Sequence, residues 1–174
     1  GAEKAVAALA MYMAIYLFMN LGAFSIVAIL RDQLGSEEIA DYAGLIRRSP
    51  GIVICFAVIL FSLVGIPPLA GFIGKFAIFA ALVDGWKVSG HGYLMALLIV
   101  GGINTAVSLF YYLRVVRVMA IDPEPENLPA SEGSLVSRVQ FGYVLLVTVP
   151  VVFFFFQWDW LSQLARAATT HLLS

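Results

Sequence analysis

The chain has 174 residues, of which 61% are hydrophobic and only 12% are charged. With a mean hydropathy of +0.95, this composition excludes an ordinary soluble domain and indicates an all-α integral membrane protein. The net charge of −1 argues against a nucleic-acid partner or a polybasic lipid-binding tail, and a single cysteine, Cys55, excludes an intrachain disulfide.

Hydropathy divides the chain into about four membrane-spanning stretches within one membrane segment, residues 1–174. The predicted spans are 5–30, 51–84, 93–118 and 139–157, followed by a tail at 158–174. Arg31 and Asp32 end the first span, and a short helix can begin at Ser36 in the polar connection that follows. Pro50 suits the first turn of the second span. Leucines and alanines at helical spacing in the tail predict a short interfacial helix.

The second stretch is too long for one straight crossing. Residues 52–83 would reach about 48 Å as a helix, against a hydrocarbon core of roughly 30 Å. The segment Gly65–Gly71 contains Pro67 and Pro68, which remove backbone donors and clash with the preceding turn. We therefore predict a discontinuous helix, with half-helices at about 51–64 and 72–84.

Lys75 follows this break and is the one charged side chain expected deep in the membrane. A cation at that depth costs roughly 2.5 to 3.5 kcal/mol on insertion scales, which indicates a function or a partner. Of the eleven acids, ten fall outside the predicted spans and Asp84 stands at the very end of one. The counter-charge of Lys75 therefore has to come from another segment, water or a backbone carbonyl. Desolvation disfavours the charged form of an amine, and a nearby acid favours it. An amine subject to both effects can therefore take up and release a proton. The alternative is a lysine that only hydrogen-bonds the carbonyls of the broken helix.

Other polar residues within the spans give weaker signals. Ser62, Asn104 and Ser108 can line a polar path or hydrogen-bond between helices, and helix packing is the simpler role. The sequence contains no phosphate-binding loop, metal-ligand spacing or nucleophile-base pattern. We therefore expect no catalytic residue, cofactor site or metal site in this chain.

The distribution of basic residues predicts the orientation. One side receives Arg31, Arg47, Arg48, Arg114, Arg117 and Arg138, and the other receives Lys4, Lys87 and Arg166. The positive-inside rule then places the loops at 31–50 and 119–138 inside and both ends outside. The membrane expected from this orientation is the bacterial plasma membrane or the mitochondrial inner membrane.

Four stretches together resemble the antiporter-like membrane subunits of respiratory complex I. They are Asn20–Phe24, Asp41–Leu45, Ser62–Phe76 and Ser108–Arg114, and the resemblance covers about residues 8–119. Within this family the chain is most similar to the C-terminal four helices of the subunit N type, the counterpart of mitochondrial subunit 2. Lys75 stands where the subunit M type usually has glutamate, and the chain lacks the long lateral helix of the subunit L type.

The resemblance implies a proton-translocating subunit of NADH:quinone oxidoreductase in which Lys75 is a proton-channel residue and no redox cofactor is bound. It also implies that an acid and further lysines lie in an N-terminal part not contained in these 174 residues. The partners it implies are that part, other membrane subunits and the lipid bilayer. Two alternatives remain: a subunit of a cation/proton antiporter such as a Na⁺/H⁺ antiporter, and a scaffold fragment that pumps nothing.

Overall fold

The computed structural model describes residues 2–124, 136–160, 162–163 and 165, and within these residues the secondary structure is helical, without strands. The described residues include the helices α1 (Ala2–Leu34), α2 (Pro50–Val64), α3 (Ala70–Ser89), α4 (Gly92–Ala120) and α5 (Arg138–Phe156). Helices α1, α4 and α5 are long and apolar enough to cross a membrane, and α2 is a shorter apolar helix. The predicted all-α membrane architecture is confirmed.

The second predicted span is two helices, as the proline and glycine pattern indicated. Helix α2 begins at Pro50, and Gly65 ends it with a φ of 92°, a backbone conformation that glycine adopts without steric cost. The Gly65 and Ile66 amides donate to the Phe61 carbonyl at 3.0 and 3.1 Å. The Pro67–Pro68 peptide bond is cis. Helix α3 begins at Ala70, two residues before the predicted start, and continues to Ser89.

Helix α1 packs against α2, α3 and α5, while α4 packs against α2 and α3. The fully buried side chains between them include Met19, Ile26, Ile59 and Val144. A Cβ added at Gly22 of α1 would collide with the Ile59 side chain of α2, so α1 and α2 approach closely at that position. Packing of α1 against both half-helices fixes the break within the bundle.

The connection between α1 and α2 differs from the predicted short helix at Ser36. It consists of two 3₁₀ turns, Ile39–Tyr42 and Leu45–Arg47. Between the turns Gly44 has a φ of 67°, which interrupts an α-helix. Burial of Tyr42, with the Glu37 and Asp41 carboxylates nearby, raises the pKa of its phenol.

The two loops expected on one side of the membrane meet in the structure. The Gly44 amide donates to the carbonyl of Val118 at 3.2 Å, and Arg48 forms an ion pair with Glu124. Both loops therefore lie at the same end of the bundle. The predicted interfacial helix at 158–174 falls largely outside the described residues.

Candidate functional site at the helix break

Lys75 lies in the second turn of α3, and its side chain reaches back to the end of α2. The ammonium donates hydrogen bonds to the carbonyl oxygens of Leu63 at 2.8 Å and Val64 at 2.9 Å. The last carbonyls of a helix have no partner within the helix and carry partial negative charge. The end of α2 therefore supplies both hydrogen-bond acceptors and part of the counter-charge for Lys75.

Ser62 makes the reciprocal contact. Its side chain is fully buried, and its hydroxyl oxygen accepts a hydrogen bond from the backbone amide of Gly71 at 3.0 Å. Leu69, at the N-cap position of α3, cannot accept such a bond with its own side chain. A serine of α2 thus caps the start of α3, while a lysine of α3 caps the end of α2. This contact joins the two half-helices at Ser62.

The glycines of the break permit this close approach. A Cβ at Gly71 would overlap the carbonyl of Ser62 and lie 2.7 Å from its carbon, and one at Gly65 would lie 3.1 Å from Cδ of Lys75. Pro67 and Pro68 are exposed on the surface of the bundle. The break is therefore in close contact with α2 and α3, whereas the side that carries the two prolines is exposed.

Ser108 and Asn104 are placed on α4, where they bond to each other. The Ser108 hydroxyl donates to the Asn104 carbonyl at 2.8 Å and accepts from the Tyr111 hydroxyl at 2.9 Å. Among the described residues, no hydrogen bond joins this pair to Lys75. The structure therefore separates them from the site that Lys75 forms with Ser62 and the two glycines.

No carboxylate of the described ranges pairs with Lys75. The ion pairs there are Arg31–Glu37 at 3.1 Å, Arg117–Asp122 at 3.4 Å and Arg48–Glu124, all in the two loops or at helix ends. The same ranges contain no cluster of His, Cys, Asp or Glu suited to a metal ion.

The sequence indicated the carbonyls of the broken helix as one alternative partner of Lys75, but not which two residues supply them. The available signal was the position of Lys75 in the second turn after the break, from which a long side chain can reach the preceding helix end.

This chain is similar in sequence to known membrane proteins. A family profile described as NADH:quinone oxidoreductase/Mrp antiporter, transmembrane, matches residues 1–108. NADH-quinone oxidoreductase subunit N of Anaeromyxobacter sp. (strain Fw109-5) is 42% identical over 120 residues, which is 69% of this chain and 23% of that protein. NAD(P)H-quinone oxidoreductase subunit 2 of Synechocystis sp. is 44% identical over 128 residues, with 74% and 23% coverage.

The fold has a counterpart among solved structures. A chain of respiratory complex I from Thermus thermophilus with bound aureothin aligns with 86% of this chain and 32% of its own length. The TM-score is 0.63 and the identity is 26%. This chain thus spans about a quarter of the length of the curated relatives and about a third of the solved chain.

Proposed function

Because this chain belongs to the NADH:quinone oxidoreductase/Mrp antiporter transmembrane family, we propose that it forms the C-terminal part of a subunit N type protein that translocates protons. In this proposal, quinone reduction elsewhere in the complex drives proton transfer through Lys75. The chain itself supplies no redox site and binds no cofactor. Its partners are the remaining part of the subunit, the other membrane subunits and the lipid bilayer.

The observation that carries the proposal is the contact between Lys75 and the end of α2. The carbonyls of Leu63 and Val64 stabilise a protonated amine, since a cation is favoured at a helix C-terminus. The side chain of Lys75 is only partly buried by this chain, which leaves it accessible to the segment that covers the break in the longer protein. A carboxylate on that segment would compete with the carbonyls for the ammonium, and its approach or withdrawal would change the proton affinity of Lys75.

Proton pumping by the complete complex in liposomes tests this role. We expect Lys75→Ala and Lys75→Gln to lower the number of protons moved per electron, because neither side chain carries a titratable proton. Lys87→Ala is the matched control, since Lys87 is an exposed lysine near the outer end of the same helix. An unchanged proton-to-electron ratio in both Lys75 variants would contradict the proposal.

The scaffold alternative has one observation in its favour. Both hydrogen bonds of the Lys75 ammonium go to backbone carbonyls, so the residue also acts as a helix cap. The amide of Lys75→Gln can still donate to a carbonyl, whereas the methyl group of Lys75→Ala cannot. Pumping retained in Lys75→Gln but lost in Lys75→Ala would assign Lys75 to capping.

A cation/proton antiporter subunit is the other candidate, because the family description covers both kinds of protein. Transport driven by a sodium gradient without NADH oxidation would favour it. Proton movement that depends on NADH oxidation and is indifferent to sodium would favour the oxidoreductase.

Our proposed orientation places the loops at 31–50 and 119–138 inside. The contacts of Gly44 with Val118 and of Arg48 with Glu124 support a shared side for the two loops. Cysteines introduced at Gly35 and Gly90, two exposed helix-end positions, would test the sidedness. In right-side-out membranes, an impermeant thiol reagent should label position 90 and spare position 35, and the reverse pattern would invert the assignment.

A further inference from the structure

Asn104 carries a polar side chain on the outside of α4, near the middle of that helix. The residue is exposed, and twelve residues of α4 precede it while sixteen follow. At about 1.5 Å per residue, it lies about 18 Å from one end of the helix and about 24 Å from the other. Helix α4 is long and apolar enough to cross a membrane, so Asn104 lies far from both headgroup regions.

The side-chain amide of Asn104 has no hydrogen-bond partner among the residues that the structure describes. Ser108 bonds only to its backbone, since the serine hydroxyl donates to the Asn104 backbone carbonyl at 2.8 Å. An amide side chain has two N–H donors and a carbonyl acceptor, and lipid tails offer no partner for any of them. Contact with lipid at this depth is therefore unfavourable for Asn104, whereas a polar side chain on a neighbouring helix satisfies it.

Three further exposed residues share this side of α4. Val100 stands four residues before Asn104, Val107 three after and Tyr111 seven after, which is the spacing of one helix face. Their side chains are 62%, 54% and 49% exposed. We call these four residues the Asn104 face. It borders the buried Ser108, which is four residues from Asn104 and three from Tyr111, so a helix seated on this face also lies alongside the bundle.

Tyr111 gives the Asn104 face a second hydrogen-bonding group, which α4 itself holds in place. Its hydroxyl donates to the Ser108 hydroxyl at 2.9 Å, and its ring centroid lies 4.5 Å from that of Tyr112. The phenol oxygen still has a lone pair with which to accept a hydrogen bond from a neighbour. A group that is fixed before association loses less entropy when a partner binds. The Asn104 face therefore presents an amide and a fixed oxygen acceptor about 10 Å apart along the helix.

We infer that the Asn104 face is the contact surface for one membrane helix from the part of the subunit outside these 174 residues. This inference rests on the proposed function, which makes the chain part of a longer protein. The chain spans only 23% of the length of two curated relatives, so most of each relative lies outside the matched region and can cover this face. The partner helix carries a side chain with both a donor and an acceptor, an amide or a hydroxyl, opposite Asn104. About two turns away it carries a donor opposite Tyr111, with apolar residues between.

Photo-crosslinking in the complete complex identifies the occupant of the Asn104 face. Benzoylphenylalanine in place of Val100 puts a light-activated group on this face, and the same sample kept in the dark is the control. After irradiation and proteolysis, we expect mass spectrometry to find position 100 joined to a membrane helix from the rest of the same polypeptide. A product with lipid alone, with another subunit or with a second copy of this chain would overturn the inference.

Substitution of Asn104 tests the hydrogen bond between the helices. Asn104→Leu replaces the amide with an apolar side chain of similar size, so we expect about threefold less assembled complex, as the loss of one interhelical hydrogen bond implies. Asn104→Gln keeps the amide and should assemble better than Asn104→Leu. Ile103→Leu is the matched control, since Ile103 is an exposed apolar neighbour. Equal assembly of Asn104→Leu and Ile103→Leu would overturn the hydrogen bond on which the inference depends.

Neither readout depends on proton transfer, so failure of this inference and failure of the pumping role are distinguishable. The expected crosslink together with an unchanged proton-to-electron ratio in both Lys75 variants would overturn the pumping role and leave the interface intact. A lower ratio in those variants together with a crosslink to lipid alone would overturn the interface and leave the pumping role intact.

Discussion

The hydroxyl oxygen of Ser62 accepts a hydrogen bond from the backbone amide of Gly71 at 3.0 Å, so a side chain of α2 satisfies an amide in the first turn of α3. In the opposite direction, the Lys75 ammonium of α3 donates hydrogen bonds to the last carbonyls of α2. The two half-helices are consequently joined by side chains where the backbone connection is irregular.

Ser62→Ala should destabilise the bundle by about 1–3 kcal/mol, because it leaves a buried amide without a partner. The thermal unfolding midpoint of the purified complex measures the effect. Ser89→Ala is the control, since the Ser89 hydroxyl is exposed, donating to the Gly85 carbonyl at 2.8 Å and accepting from the exposed His91 amide at 3.3 Å. Equal midpoints for the two variants would show that the Ser62 contact contributes little.

Gly71→Ala should be more damaging than Ser62→Ala. The added methyl group would overlap the backbone carbonyl of Ser62, which cannot move without separating α2 from α3. We expect the free energy of unfolding to fall by about 2–4 kcal/mol, as is typical of severe overpacking. We also expect less assembled complex in the membrane. Gly102→Ala on α4 adds the same methyl group where nothing lies within 4 Å. Normal assembly of both variants would contradict the close approach described here.

Gly65→Ala should have two energetic costs, and Gly90→Ala should have only the first of them. Gly65 and Gly90 both have positive φ, 92° and 67°, which costs a non-glycine residue about 1–2 kcal/mol. Only at Gly65 would the new Cβ also press on the Lys75 side chain, 3.1 Å from its Cδ. We therefore expect Gly65→Ala to lower both stability and proton pumping, and Gly90→Ala to lower stability alone. Pumping reduced equally in both would argue against a specific effect on the lysine.

The Arg48–Glu124 ion pair should contribute more than the exposed pair Arg31–Glu37. The side chains of the first pair are 17% and 26% exposed, against 64% and 63% for the second. Double-mutant cycles on thermal stability should give a coupling of about 1–3 kcal/mol for the first pair and about 0–1 kcal/mol for the second. Added salt should weaken the second coupling more. A reversed order would mean that contact between the loops does not depend on this ion pair.

Sequence alone predicted the break, because prolines and glycines in an apolar stretch have strong local consequences, and the depth of Lys75 in the membrane stays a prediction. The sequence also offered the carbonyls of the broken helix as partners of the lysine, but it did not single out Leu63 and Val64 or predict that Ser62 caps α3. Those contacts depend on how the two half-helices are placed after the chain turns, and that placement is set by packing against α1.

Local helix propensity also did not predict the structure of the loop at 31–50. Acidic residues after Ser36 favoured a helix start, but the close contact of Gly44 with Glu124 and Val118 holds the loop in two short turns.

The exposed prolines of the break have a consequence for whatever covers them. Pro67 and Pro68 have no amide hydrogen, and the amides of Gly65 and Ile66 are already bound to Phe61. The backbone of this turn therefore presents oxygen acceptors, and almost no hydrogen-bond donors, to any protein surface that packs against it. A covering helix that brings a carboxylate to Lys75 has to bring hydroxyl, amide or water hydrogens to the adjacent carbonyls as well, since a bare acid at that point would meet repulsion from the same oxygens.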